Sequence, residues 1–394
     1  MKQSKNHKVE PGWRICAIFF PQLSLDSTTT VTSTLDLIKP LAKEIFIITG
    51  NFPQGVISGD NIHLINIRHN DRPLPMLMRI SRFIMLQLKI SYHLVRTAGK
   101  IDLVFLAAGA SIMLLPALLA KLMGKKIVLL RHGTSSFQKT NKTDYQGTLF
   151  GIGMYIFPPV IDFIIGLNCT LADRLAVFSS DLTDSRLRRY TGKISHGSRF
   201  YVDTDFFRIT KDVSSRKEII GYIGRFEEIK GVVNFIKAVS LVFKEPVGVE
   251  VVIGGDGPQR DDINKEIADA KSGDRVTLTG WIPHDKLPQY LNEIKLLVIP
   301  SYAEVGPHIV FEAMACGTPV LATPVGIIPD IVKDGETGFI MEDNSPQCIA
   351  RNIIRALNYP DLDRIAKTAR VLVEKEYTHE AAVDRYRKIL SDLK

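Results

Sequence analysis

The chain has 394 residues, 45% of them hydrophobic and 23% charged, with a formal net charge of +8. Such a length exceeds one ordinary core and predicts two domains, and the composition is that of a globular protein, which excludes a disordered or fibrous chain. The charge is uneven: Met1 to Asp205 carries 25 basic and 14 acidic residues (25 − 14 = +11), whereas Phe206 onward carries 25 and 28 (25 − 28 = −3), so the basic half suggests an anionic partner such as membrane lipid, nucleic acid or a phosphorylated substrate.

In chain order, the opening MKQSKNHKVE lacks an apolar core and a small-residue cleavage site and does not read as a signal peptide. Cys16, Cys169, Cys316 and Cys348 show no metal-like spacing and read as reduced thiols of a cytoplasmic protein. Short apolar runs predict strands at Ile15–Phe20, Glu44–Thr49, Leu103–Leu106 and Ile127–Leu130. Between the second and third, Met76–Arg96 reads as a helix without an acidic residue, in which Arg79, Arg82, Lys89 and Arg96 punctuate Met, Leu, Ile and Phe. Such a helix either buries one face in a domain or lies on the anionic inner face of a membrane as a peripheral contact. Its basic residues alternate with aliphatic rather than aromatic ones, which argues against nucleic acid. Leu103–Ala120 is uncharged for 18 positions, but Gly109 and Pro116 interrupt it and favour a buried strand followed by a helix over a membrane span. Tyr145–Ile161, also uncharged, is broken by Gly147, Gly151, Gly153, Pro158 and Pro159. His132 ends a strand in Leu130-Arg131-His132-Gly133-Thr134, as a structural residue or as a hydrogen-bonding group at a reacting centre, and the polar Ser135–Gln146 after it predicts a loop.

The polar stretch Arg208–Lys217 separates two runs of alternating strands and helices, and alternation of this kind predicts parallel sheets with helices on both faces. Second-half strands are predicted at Ile219–Ile223, Val249–Ile253, Val276–Leu278, Leu296–Ile299 and Pro319–Ala322, with helices at Val232–Phe243 and Asp261–Ala270. Three glycine-bearing strand ends stand out. GYIGRFEEIKG places Gly224 and Arg225 after a strand and Lys230 at the next helix start, a pattern suited to a diphosphate or to a plain turn with solvated cations. VVIGGDGP places Gly255 and Gly257 where backbone could approach a ligand, but lacks the dinucleotide spacing, and there is no GxxxxGK[ST] loop. TGWIP offers Trp281 and Ile282 to a base or to packing. Then comes Pro300–Gly317, PSYAEVGPHIVFEAMACG, with Glu304 in a loop and Glu312 eight positions later at the first turn of a helix. Two carboxylates at a sheet's C-terminal end suit a hydroxyl-rich ligand. A charged helical pattern, Thr378–Leu393, closes the chain.

Together these motifs resemble the retaining glycosyltransferases of family four (group 1), closely over Lys217–Leu393 and more loosely before it. The resemblance implies the GT-B fold: an acceptor-binding Rossmann-like domain (1–207), a linker (208–217), a nucleotide-sugar-binding Rossmann-like domain (218–375) and a final helix (376–394) packed back on the first domain. It implies transfer of a sugar from a nucleotide-diphosphate-sugar donor to a hydroxyl of a glycan, lipid-linked or small-molecule acceptor, with retention and without cofactor or metal. By motif matching, Arg225 and Lys230 hold the donor diphosphate and Glu312 accepts from ribose hydroxyls. Glu304 and backbone N–H groups around Gly306, His308 and Ile309 hold the donor sugar, and His132 reaches it from the first domain. Gly224, Gly255, Gly257, Trp281 and Ile282 complete the donor site. Two departures stand out: Pro21–Thr29 replaces the usual Gly-Gly pair after the first strand, and Pro307 has no N–H to offer. A nucleotide-sugar epimerase or a non-catalytic nucleotide-sugar-binding protein of the same shape are the alternative readings.

Overall fold

The computed structural model describes residues 12–20, 25–53, 55–68, 75–107, 109–131, 158–178, 187–246, 248–269, 273–304 and 306–393. Two sheets organise them. The first runs β1 (Trp13–Ile18), β2 (Ala42–Gly50), β3 (Ile62–Ile67), β4 (Leu103–Leu106), β5 (Lys126–Arg131), β6 (Arg174–Val177) and β7 (Ile194–His196). The second runs β8 (Ile219–Ile223), β9 (Glu250–Gly254), β10 (Val276–Gly280), β11 (Leu296–Ile299), β12 (Val320–Ala322) and β13 (Phe339–Ile340). Every pairing between these strands is parallel. The central strands are fully buried apolar runs, as strands covered on both faces require.

The helices are α1 (Leu25–Ile38), α2 (Met76–Thr97), α3 (Leu114–Leu122) and α4 (Pro158–Leu171) around the first sheet. Around the second are α5 (Val232–Val242), α6 (Arg260–Asp269), α7 (Leu287–Glu293), α8 (His308–Ala315), α9 (Ile328–Ile331), α10 (Pro346–Leu357) and α11 (Leu362–Glu376), and α12 (His379–Ser391) ends the chain. Leu103–Ala120 thus splits into strand and helix, and no helix among the described residues is long and apolar enough to cross a membrane. Ser345, Asp361 and Thr378 cap α10, α11 and α12 by accepting from the third residue onward, which satisfies donors that a helix start leaves open.

Strand order is β3-β2-β1-β4-β5-β6-β7 in the first sheet and β10-β9-β8-β11-β12-β13 in the second. Both follow the Rossmann pattern, in which the chain reverses direction across the sheet beside its first strand. In the second sheet that reversal falls between β8 and β11, and α/β folds bind ligands beyond the strand ends at this point.

The segment 208–217 is anchored to the second sheet. Buried Arg216 donates to the carbonyls of Lys211, Leu291, Ile294 and Cys316 and to Thr318 Oγ1, while Asn292 holds both Thr210 N–H and Arg208 C=O. The last helix returns to the first sheet: Tyr386 Oη donates to Gly197 C=O at 3.1 Å and the Arg385 guanidinium to Ser198 and Phe200 C=O. Phe200 stacks on Phe311 with 5.8 Å between centroids and meets Phe178 edge-on, so one apolar core runs from the first sheet into the second.

Candidate active site

Beyond β8 and β11, two loops lock together. Tyr302 N–H donates to Ile229 C=O at 2.8 Å. Gly231 has φ +68° and its missing Cβ would overlap the Pro300 carbonyl oxygen; Gly326 has φ +60° and a Cβ there would overlap the Glu304 carbonyl. Only glycine combines that backbone conformation with so close an approach. The result is a direct ion pair: Lys230 Nζ lies 2.7 Å from Glu304 Oε1, which also accepts from Ser301 Oγ at 2.7 Å. Glu304 is 6% exposed, so its charge depends on these two donors. Arg225 stands at the end of β8, its guanidinium largely open and 3.2 Å from Glu227. The structure therefore pairs Lys230 with Glu304 at the switch point of the second sheet, while Arg225, just beyond β8, pairs with Glu227.

The glycine-rich strand ends do different work. Gly224 N–H donates to Gly254 C=O, Gly255 N–H to Gly280 C=O, and Phe226 N–H to Asp256 C=O. A Cβ at Gly255 (φ +137°) would overlap Gly224 C=O, and one at Gly257 (φ +152°) would come within 2.7 Å of Phe226 C=O. These glycines thus let the loops after β8, β9 and β10 approach one another closely. Trp281, just after β10, is 71% exposed, while Ile282 packs inward over Gly254.

Pro307 precedes α8, so the helix opens at His308, and Glu312 sits at its fifth position, one turn deeper than expected from sequence. The first N–H groups of a helix lack intrahelical partners, which leaves His308 and Ile309 as donors beside Gly306 while Pro307 supplies none. Gly306 lies against the Phe200 ring, where any Cβ would collide. Glu312 Oε1 is 3.3 Å from His284 Nε2; burial raises the Glu312 pKa and His284 opposes that rise. His284 itself is stacked against Phe206 and meets Phe207 edge-on.

His308 meets Phe200 edge-on at 5.4 Å. Although its ring reaches solvent, the surrounding protein lowers its pKa to about 4, with further lowering by Arg199 and His284, so the imidazole is neutral at neutral pH. Arg199 donates to Ser33 Oγ at 2.7 Å and Thr30 Oγ1 at 3.3 Å from beneath, with Phe178 and Phe200 against its guanidinium. It brings a positive charge from the first domain, near the α1 segment where the Gly-Gly pair is replaced. His132 and Val305 lie outside the described residues, as do Ser135–Gln146 and Pro21–Ser24.

Ser301, His284 and Arg199 were not singled out from sequence. Ser301 and His284 follow strand ends on the ligand edge, a positional signal that existed. Arg199 follows β7 in a run, HGSRF, whose polar residues gave no sign of which would turn inward.

Two Rossmann-type sheets with a charged loop cluster at the second switch point define the GT-B class of architecture. Anabaena HepE in complex with UDP superposes with a TM-score of 0.73 at 17% identity, covering 96% of this chain and 99% of that one. Sucrose-phosphate synthase from Thermosynechococcus elongatus superposes at 0.70 with 19% identity, covering 97% and 99%. Residues 203–372 match the profile of the glycosyl transferases group 1. Curated relatives include the alpha-D-kanosaminyltransferase of Streptomyces kanamyceticus, 32% identical over 179 residues (45% of this chain, 46% of that protein). The N-acetyl-alpha-D-glucosaminyl L-malate synthase of Bacillus anthracis is 28% identical over 198 residues (50% and 51%). The chain spans about half the length of these curated relatives.

Proposed function

We propose that this protein is a retaining, metal-independent glycosyltransferase that moves a sugar from a nucleoside-diphosphate-sugar to an acceptor hydroxyl. The observation that carries the reading is the Lys230–Glu304 pair at the switch point, 2.7 Å apart, with Arg225 two residues beyond the end of the adjoining strand β8. A donor diphosphate meeting this cluster draws Lys230 and Arg225 onto its oxygens. Glu304 then accepts from hydroxyls of the transferred sugar, and Glu312 from those of the ribose.

As the glycosidic bond breaks, negative charge builds on the oxygen leaving with the nucleoside diphosphate, and positive character builds on the anomeric carbon. Preorganised cations stabilise the first and a buried carboxylate the second. The acceptor hydroxyl attacks from the face the leaving group vacates, its proton passing to the departing phosphate oxygen. This route retains configuration without a protein nucleophile. The helix start at His308–Ile309 adds N–H donors toward the sugar.

HepE, of similar fold, forms complexes with UDP and with UDP-glucose, which makes uridine donors the first to screen. The test is thermal stabilisation by UDP-, GDP- and ADP-sugars, followed by product analysis with and without hydroxyl acceptors. Stabilisation by one donor, reduced in Lys230→Ala, with acceptor-dependent release of the nucleoside diphosphate, is the expected result. No stabilisation by any donor counts against the reading, and an isomerised donor formed without acceptor points to an epimerase instead.

A further inference from the structure

The helices on the outer face of the first sheet carry a second surface. Leu86, Ile90 and Leu94 of α2 and Ala117 and Ala120 of α3 pack inward against β1, β2 and β4 in one core. The opposite side of α2 is also apolar: Leu77, Ile84, Met85, Leu88, Tyr92 and Val95 are all exposed, Leu77 at 81%. At 3.6 residues per turn these form one stripe, on the side away from the buried stripe. The neighbouring helices extend it, with Leu122 of α3 at 74% and Phe163 of α4 at 66% exposure. Solvated helices of globular proteins place charged residues on that side instead, so an apolar patch this continuous marks an interaction surface.

Its charges identify the partner. Arg82, Lys89 and Arg96 recur every seven residues and so run as a row along one edge of the stripe. The three helices together carry Arg79, Arg82, Lys89, Arg96 and Lys121 against Asp162 alone (5 − 1 = +4). A 22-residue helix is about 33 Å long, and its outward stripe is a convex ridge, not a groove that would hold a peptide. Apolar side chains bordered by a row of cations, on a ridge lying parallel to the protein surface, are what an interfacial helix needs to lie among anionic lipid headgroups.

We infer that the outer face formed by α2, α3 and α4 docks on an anionic bilayer, with Leu77, Ile84, Leu88 and Phe163 entering the headgroup–acyl boundary and Arg82, Lys89 and Arg96 facing the lipid phosphates. The α2 helix starts at the ligand edge of the first sheet, because it returns from the end of β3 to the beginning of the parallel β4. Docking therefore lays the outer face of the first sheet along the membrane, with the start of α2 marking its ligand edge. The inference is independent of the proposed chemistry, since vesicle binding needs neither donor nor acceptor.

The experiment is flotation of the whole protein with vesicles of phosphatidylcholine alone or mixed with phosphatidylglycerol, at low and high salt. Binding to the anionic vesicles that weakens with salt, and little binding to the neutral ones, is expected. Because the stripe is exposed, Ile84→Ser with Leu88→Ser leaves the fold intact, checked by an unchanged melting temperature, and weakens vesicle binding about tenfold. Lys89→Gln with Arg96→Gln weakens it with a smaller salt dependence. Equal binding by the serine double variant and the parent overturns the proposal. So does absence of binding to anionic vesicles. Self-association in sedimentation velocity that the serine pair abolishes, without vesicle binding, assigns the surface to a second copy of the chain instead.

Discussion

The Lys230 ammonium and the Glu304 carboxylate, 74 positions apart in sequence, meet at 2.7 Å where the second sheet reverses its strand order. Each fills the place the other would offer a donor: Lys230 occupies the carboxylate that would take sugar hydroxyls, and Glu304 holds the cation that would take phosphate. On the proposed function, donor binding would exchange this internal ion pair for two ligand contacts. Lys230→Ala strands the buried Glu304 with only Ser301 as donor, and is expected to cost about 3 kcal/mol of folding stability. It also lowers turnover by about a hundredfold or more, as loss of a charge-stabilising donor does. Lys230→Met combined with Glu304→Gln restores most of the stability in urea unfolding but none of the turnover. A double variant as unstable as Lys230→Ala would show that the pair does not act as a unit.

Glu312 and His284 set a pH dependence. Burial raises the Glu312 carboxyl above its usual range and His284 pulls it back. With the folded value above the unfolded one, its contribution to stability is fully present below the ordinary carboxylate value and is lost as pH rises through the raised value. Donor affinity runs the opposite way, because the ionised carboxylate is the better acceptor for ribose hydroxyls. His284→Ala removes the lowering influence, so the acid limb of donor binding moves to higher pH. Calorimetric titration of the donor across the acidic range reads this directly. An acid limb that stays in place removes Glu312 from ribose recognition.

How much of this was open to reading in the sequence depends on distance along the chain. Ile219–Ile223 and Leu296–Ile299 read as strands because both faces of a parallel sheet are buried and the run is unbroken. The loops after them read as ligand loops for the same topological reason. The strands β3, β6, β7 and β13 were not read: β6, β7 and β13 have four residues or fewer and show no period, and the six-residue β3, at the sheet edge, carries no buried apolar run. Gly255 and Gly257 read as places where backbone approaches a ligand, whereas the close neighbours in the structure are Gly224 and Phe226, a fact of tertiary packing. The Glu312–His284 and Arg199–Ser33 contacts join residues 28 and 166 positions apart, beyond any local pattern. The inward and outward stripes of α2 were both apolar in sequence, and only packing against β1, β2 and β4 decided which was exposed.

His308 is held neutral. Its pKa falls from an ordinary 6.5 to about 4, through surrounding protein first and then Arg199 and His284. A histidine lowered on folding contributes stability that is present above its unfolded value and lost as pH falls from about 6.5 toward 4. The imidazole proton resonances of His308 should accordingly titrate well below the ordinary midpoint. Arg199→Gln removes one of the two neighbours that lower it, so the midpoint rises, yet stays below 6.5 because desolvation by the surrounding protein is the larger cause. A midpoint unmoved by Arg199→Gln would mean that the guanidinium does not reach the ring electrostatically.

Gly231 tests whether backbone fit, rather than charge alone, builds the site. Its φ of +68° disfavours any side chain, and a Cβ would overlap the Pro300 carbonyl oxygen. Gly231→Ala must either adopt a strained conformation, at about 1–3 kcal/mol, or push the β8 loop away from the β11 loop. The second response breaks the Tyr302–Ile229 hydrogen bond and lengthens the Lys230–Glu304 pair. Both lower the melting temperature, but only separation of the loops also weakens the donor-induced thermal shift. Gly248→Ala is the control, because it has an ordinary φ and nothing within 4 Å of the added carbon. If Gly231→Ala behaves like Gly248→Ala in both measurements, the close approach at Pro300 is not what holds Lys230 against Glu304.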